Sequence, residues 1–400
     1  MAGKIILHID LNQFFITCER LKDPSLNNKI LIVGGEGRAG IVSTASYEAR
    51  KYGIHSGMPT FQAKMLCKNL VCKPVDFKFY NLMSKEFINF IKQYSNKIEQ
   101  TSIDECYVDF TETYKLSSNK NIEQLLTNIQ NGLYKKTGLM CSIGVATTKF
   151  LAKMGSDFKK PMGITIIHNY EIPKKIFPLS IKDYFGIGKK TYPKLEDIGI
   201  KTIGDFYNGL KTNNQDLIDI IGNSKEYHIA ELEGRSNDIV NTKHVDPKSI
   251  GISRTLTSDT NDRIYLNEFL LKIAKNVIDE MKSKNFFTKT ITISFKDADF
   301  ENTNFKVTSV SKSLSDYTDD ENYILKETSK LFYKSFDDRL IRLIGFTVKN
   351  LKHKSDIVRQ LTLEDCQFSQ KEDEIDKIIN DLNRITKQKT FIKLSELEKK

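Results

Sequence analysis

The sequence contains no tryptophan, no Cys-x-x-Cys pair and no apolar run near the ~18 residues that a membrane span requires. Each absence removes a class of protein. Without such a run there is no candidate spanning helix. The N-terminal stretch MAGKIILHIDLNQFF is broken by His8 and Asp10 and has no signal-peptide cleavage site, so it reads as a buried strand. Six cysteines (Cys18, Cys67, Cys72, Cys106, Cys141, Cys366) are scattered, and none joins a histidine at zinc-ligand spacing. That pattern argues against a disulfide framework or a zinc module, and a reduced, cytoplasmic protein is expected. Long internal repeats and low-complexity tracts are missing too. What is present suits packed cores: 39% of the 400 residues are hydrophobic and 28% charged, which excludes disorder as the general state. At roughly 100–200 residues per domain, two to four domains are expected.

Charge is unevenly spread. The net charge is +10, and residues 1–166 alone hold 22 basic and 14 acidic side chains. Residues 167–243 hold 11 and 11, residues 244–350 hold 17 and 16, and residues 351–400 hold 11 and 10. An N-terminal excess of this kind suits a polyanionic partner, nucleic acid or nucleotide phosphate. The competing reading is compositional drift, since lysine outnumbers arginine 51 to 10, as an AT-rich genome would produce.

Residues 4–10 read as a strand, 12–22 as a helix, 30–35 as an apolar strand ending in paired glycines, and 40–44 as a further strand before a helix over 45–54. Short helices follow at 60–69 and 84–96. Residues 102–110 and 141–147 alternate as strands with a helix at 121–135 between them, which suggests an α/β core. Residues 180–206 hold two glycine-bounded helical pieces, echoed weakly at 217–234. β-Rich stretches return at 248–256, 288–296, 304–314 and 339–351, with helices at 265–284 and 321–335, forming a second α/β module. One apolar helical stripe marks the charged last 40 or so residues.

Three constellations carry chemistry. Asp10 ends the first strand, and Asp104 and Glu105 open another. Neighbours on a regular strand face opposite ways, so this acidic pair can share one site only at a turn or at a strand's first residues. Carboxylates from two adjacent strands can hold two Mg²⁺ ions for phosphoryl transfer; the alternative is a set of solvated surface acids. Thr44, Tyr47 and Arg50, spaced three apart, share a helical face if the turn begins at Thr44, and with Lys160 they suit a triphosphate. Equally, Thr44 is a helix cap and Tyr47 a packing residue. Gly186-Ile187-Gly188, followed by Lys189 and Lys190, can aim backbone amides at a phosphate.

In order and spacing, HIDLNQFF (8–15), STASYEARKYGIHSGMP (43–59), SIDECYVDF (102–110), IGVATTKFLAKMGSDFKKPMG (143–163) and FGIGKKT (185–191) resemble the Y-family translesion DNA polymerases, on the bacterial polymerase IV branch. The resemblance spans about residues 4–350. It implies an α/β multidomain right hand: palm at 1–10 and 76–166, fingers at 11–75, and a helix-hairpin-helix thumb at 167–233. A linker at 234–243, an α/β little finger at 244–350 and a charged tail at 351–400 complete it. It implies a template-directed, low-fidelity DNA polymerase that adds dNTPs to a primer 3′ end by two-Mg²⁺ phosphoryl transfer, in translesion synthesis and repair. Asp10, Asp104, Glu105 and the Leu11 carbonyl would be metal ligands. Phe14 and Phe15 would lie under the incoming nucleotide, with Phe15 reading the sugar. Thr44, Tyr47, Arg50 and Lys160 would bind triphosphate. Gly186, Gly188, Lys189, Arg339 and Arg342 would contact DNA. The implied partners are primer-template DNA, dNTP and, through Gln360, Leu361 and Leu363, a sliding clamp; a monomer is expected.

The chain departs from the pattern in three places. Asn12 stands where many members have a second Asp, PMG replaces PNG after Lys160, and Glu364 replaces an aromatic of the clamp peptide. Two competing readings are a non-catalytic DNA- and clamp-binding scaffold, which would lack the carboxylates, and a nucleotidyl cyclase, which would need neither thumb hairpins nor a little finger.

Overall fold

A computed structural model describes residues 3–118, 121–236, 239–243, 245–298 and 307–357. The chain divides into two compact units, residues 1–246 and 247 onward.

The first unit opens with β1 (Ile6–Leu11), α1 (Phe14–Lys22), β2 (Leu31–Gly34), β3 (Val42–Ala45), α2 (Tyr47–Arg50), α3 (Thr60–Leu66), β4 (Val71–Lys73) and α4 (Phe77–Ile91). It continues with β5 (Ile98–Gln100), β6 (Glu105–Asp109), α5 (Thr111–Leu116), α6 (Ile122–Thr137), β7 (Cys141–Ala146), α7 (Lys149–Phe158) and β8 (Ile164–Ile166). Five short helices close it: α8 (Ile172–Lys175), α9 (Tyr192–Asp197), α10 (Ile203–Lys211), α11 (Gln215–Ile221) and α12 (Lys225–Leu232).

The main sheet runs β5-β6-β1-β7-β8, and β1 is antiparallel to both its neighbours. All six residues of β7 are buried, so this strand reads as a continuous apolar run rather than an alternating one. Gly144 in its middle is obligatory for a steric reason. A Cβ there would lie 1.9 Å from the Ala152 carbonyl oxygen and 2.4 Å from the Ser156 nitrogen, so α7 rests directly on the strand backbone. A smaller sheet, β3-β2-β4, stands beside α1 to α3. The short helices share one apolar core with the main sheet, in which Leu195, Phe206 and Leu217 join Ile6, Tyr107 and Leu151. The segment after α12 belongs to this unit: Val240 is buried in that core, and the Asn241 amide donates to Glu99 Oε2 at 2.6 Å.

The second unit contains β9 (Ser249–Thr260), α13 (Arg263–Ser283), β10 (Phe286–Asp297), β11 (Val307–Thr318), α14 (Glu321–Ser335) and β12 (Ile341–His353). Its antiparallel sheet runs β11-β10-β12-β9, and Leu270, Val277, Phe295, Phe332 and Phe346 form a core of its own. The expected α/β multidomain class holds.

Several local expectations are corrected. Asp76 caps α4 by accepting from the Phe79 amide at 3.1 Å, so this helix starts at Phe77 rather than near 84. Ser46 caps α2, its Oγ accepting from the Ala49 amide at 3.2 Å. The helix therefore begins after Thr44, which stays in β3 and is neither a cap nor on the helical face. The piece before Gly186 is a single 3-10 turn, Ile181–Asp183, not a helix.

Candidate active site

Strand pairing assembles the acidic cluster. Asp10 lies directly opposite Glu105 in the β1–β6 register. Like charges so placed repel unless positive charge lies between them. Glu105 is the first residue of β6 and Asp104 sits in the turn before it, the geometry that lets sequence neighbours share one end of a sheet. The Leu11 amide donates to the Asp104 carbonyl at 2.9 Å and ties the two chain segments together.

Two lysines answer the acids. Lys153 Nζ on α7 lies 3.1 Å from Asp10 Oδ2, 3.0 Å from Glu105 Oε2 and 3.7 Å from Asp157 Oδ2. Lys160 Nζ lies 3.0 Å from Asp10 Oδ1 and 2.8 Å from Asp157 Oδ1. Burial works against the Lys153 charge, but Asp10, Asp157 and Glu105 outweigh it and raise its pKa. The imidazole of His8, helped by Lys153, holds Glu105 at about 2 against the effect of burial. Burial raises the pKa of Asp104, and the charges of Asp10 and Glu105 push the same way against a 2.5 Å hydrogen bond from Ser102 Oγ. Among the described residues, the ligand atoms of His8, Asp10 and Glu105 come within 4.8 Å of one another; Asp104 is turned toward Ser102 and is not one of this group. Apart from His8 the donors are oxygens, and an ammonium already bridges two of them, so the residues fit a hard divalent cation.

The remaining predicted nucleotide-binding residues lie on α1, β3 and α2. Arg50 stacks over the Tyr47 ring at 5.2 Å, and its Nε donates to the Ala45 carbonyl at 3.0 Å. Burial raises the Tyr47 pKa, and its phenol feels the charges of Arg50, Lys160 and Asp10. Phe14 is buried in the core. Phe15 is half-buried and stacks on Tyr80, with ring centroids 4.4 Å apart. Asn12 is buried and bridges two segments: Nδ2 donates to Ser142 Oγ at 3.0 Å, while Oδ1 accepts from the Met162 amide at 2.8 Å. An Asp at this position would lose the first of these donors.

Gly186, with φ +103°, and Gly188 form an exposed turn anchored by buried Tyr184 and Ile187, with Lys189 and Lys190 pointing into solvent. A cleft lined by Thr101, Glu105, Lys149, Phe185, Gly186 and His228 joins this turn to the carboxylates. In the second unit, Arg339 pairs with Asp297 at 3.1 Å and Arg342 with Asp259 at 3.0 Å, so both guanidinium groups already face carboxylates. Gln360, Leu361 and Leu363 lie outside the described residues.

Sequence reasoning missed Lys153, Asp157 and His8 as members of the cluster. Lys153, Asp157 and Lys160 are spaced four and three apart, a helical-face signal that was available. Their partner Asp10 is 143 positions from Lys153, and no local pattern announces that contact.

The sequence matches the impB/mucB/samB family over residues 9–157 and the C-terminal domain of the same family over residues 247–363. It is 36% identical over 392 residues to a DNA polymerase IV of Bacillus velezensis, covering 96% of this chain and 91% of that one. It is 35% identical over 409 residues to DNA polymerase IV 1 of Bacillus subtilis, covering 100% and 95%. Among solved structures, a Y-family DNA polymerase chimera of Dbh and Dpo4 aligns with a TM-score of 0.75 at 26% identity, over 87% of this chain and 99% of that one. DinB from Sulfolobus solfataricus aligns with a TM-score of 0.56 at 26% identity, with the same coverage. No helix among the described residues is long and apolar enough to cross a membrane. The chain belongs to the impB/mucB/samB family, the Y-family of low-fidelity, template-directed DNA polymerases of translesion synthesis.

Proposed function

We propose that the Asp10, Asp104 and Glu105 end of the main sheet is the catalytic centre of this DNA polymerase, and that magnesium, two ions per site, is its cation. Y-family polymerases act on DNA and nucleotide and depend on a divalent metal. The observation that carries the reading is the register that sets Asp10 against Glu105, with Asp104 in the adjoining turn. When bound, the ions supply acidity at the primer 3′-hydroxyl and stabilise the departing pyrophosphate. Asp10, Asp104, Glu105 and the Leu11 carbonyl are the residues to hold them. Thr44, Tyr47, Arg50 and Lys160 take the triphosphate, Lys160 exchanging carboxylate for phosphate oxygens. Phe14 forms the floor on which Phe15 meets the sugar. Gly186, Gly188 and Lys189 hold backbone phosphates at the far end of the cleft, and Arg339 and Arg342 do so in the second unit.

In this reading the main sheet is the palm (1–10 and 76–166), residues 11–75 the fingers, residues 167–233 the thumb and residues 244–350 the little finger. The enzyme works as a cytoplasmic monomer, and Gln360, Leu361 and Leu363 dock on a sliding clamp despite Glu364. The test is Asp104→Ala. It should abolish nucleotide addition in single-turnover primer extension with Mg²⁺ and all four dNTPs, while primer-template affinity stays within a few-fold, because DNA is held mainly through its phosphates. Substantial remaining activity would sink the assignment.

A further inference from the structure

His8 lies at the base of the cluster, and the proposed reaction leaves it without a role. Its side chain is 0% exposed, and it faces Tyr107 across the β1–β6 pair, with ring centroids 4.8 Å apart. A buried polar ring is costly unless both nitrogens find partners. Nδ1 has one, Ser156 Oγ at 2.8 Å. Ser156 is held against the sheet by the close approach of α7 at Gly144. Nε2 has no hydrogen bond, and Glu105 Oε2 lies 3.3 Å from it. A histidine that served packing alone would be satisfied away from the cluster. This one has one nitrogen fixed by a hydroxyl and the other aimed at a carboxylate.

We infer that His8 is a positioning residue: anchored by Ser156, it sets the Glu105 carboxylate in the orientation that a divalent cation requires. The inference rests on Glu105 being a metal ligand, as proposed above. Contacts of this kind are often long in an unloaded site and tighten when it is loaded. Residues that orient a metal ligand without touching the metal commonly change affinity by about 10–100-fold when removed.

The probe is Mn²⁺, counted by the electron paramagnetic resonance of the free ion. The sample is the full chain with a dideoxy-terminated primer-template and the next dNTP. His8→Phe keeps a ring against Tyr107 and should weaken Mn²⁺ binding about tenfold or more, with DNA affinity within twofold of the parent. His8→Gln restores a side-chain amide and should recover most of the loss. Ser156→Ala should lose less, in the same direction. Unchanged Mn²⁺ affinity in a folded His8→Phe overturns the inference, and so does nitrogen hyperfine coupling that vanishes with His8, which would make it a ligand instead. If His8→Phe does not fold, unchanged affinity in Ser156→Ala overturns it. Glu105→Gln separates the two levels. Retained Mn²⁺ binding there retires the ligand assignment itself; lost binding there, beside normal binding in His8→Phe, retires only the role of His8.

Discussion

Phe14 and Phe15 are adjacent on α1 and point about 100° apart. Phe14 is buried in the core, while Phe15 is half-buried against Tyr80. One ring is spent on packing; in the function proposed above the other meets the sugar. Phe15→Ala should give a folded enzyme whose preference for dNTP over rNTP falls at least about tenfold, or ~1.4 kcal/mol. Competing dCTP and rCTP incorporation opposite a template dG, read beside a melting curve, checks this. Were Phe15 only a core residue, the variant would lose about 3–5 kcal/mol of stability with selectivity unchanged. At this scale the sequence was most readable where chemistry restricts residue choice. Asp10, Asp104 and Glu105 stood out by type and by the motif resemblance, and the strand register sets Asp10 against Glu105; the Asn12 departure was visible too. Its consequence was not, because Ser142 and Met162, which Asn12 joins, are 130 and 150 positions away.

Among the elements, α7 matters most, since it carries Lys153, Ser156 and Asp157 to the cluster. Its seat is the bare backbone of β7 at Gly144. Gly144→Ala should therefore cost about 1–3 kcal/mol, the usual range for overpacking, and reduce activity by lifting α7 from the strand. Gly155→Ala is the contrast. Its Cβ would meet the tip of the Ile167 side chain at 3.2 Å and the backbone of Gly144 and Thr165 at 3.3 and 3.4 Å, much milder than the 1.9 Å at Gly144, so the loss should be smaller. Thermal melts of the two variants decide, and equal losses would contradict the argument from close approach. Elements were legible where a period or a cap marked them. β6 and β7 lie within the stretches read as strands, and β1 overlaps its stretch but runs one residue past it, to Leu11. The expected start of α2 differs because Ser46 outcompetes Thr44 for the cap, and the extent of α4 because the Asp76 cap lies eight positions before the start of the expected stripe at residue 84. Contacts of α7 with the sheet could not be read, since a helix's own period says which face is apolar but not which strand receives it.

Among the described residues, one apolar core surrounds the β12 sheet and three lie in residues 1–246. Independent cores should unfold independently. Amide hydrogen exchange through a urea series should show two transitions, one for residues up to about 246 and one beyond; a single transition shared by both sets of amides would contradict this. The charge asymmetry read in the sequence also takes on a finer grain in the fold. The first 166 residues carry the basic excess, yet at one end of their sheet three carboxylates, Asp10, Glu105 and Asp157, pair with two ammonium groups, Lys153 and Lys160, and Asp104 adds its charge beside them. A polyanion approaching this surface is drawn in by the field around it and turned away from that one spot. In the function proposed above, a neutral hydroxyl would meet little electrostatic cost at that spot, whereas an internucleotide phosphate would be repelled by the carboxylates. The same charge pattern would then favour a primer seated with its 3′ end, rather than a phosphate, at the cluster.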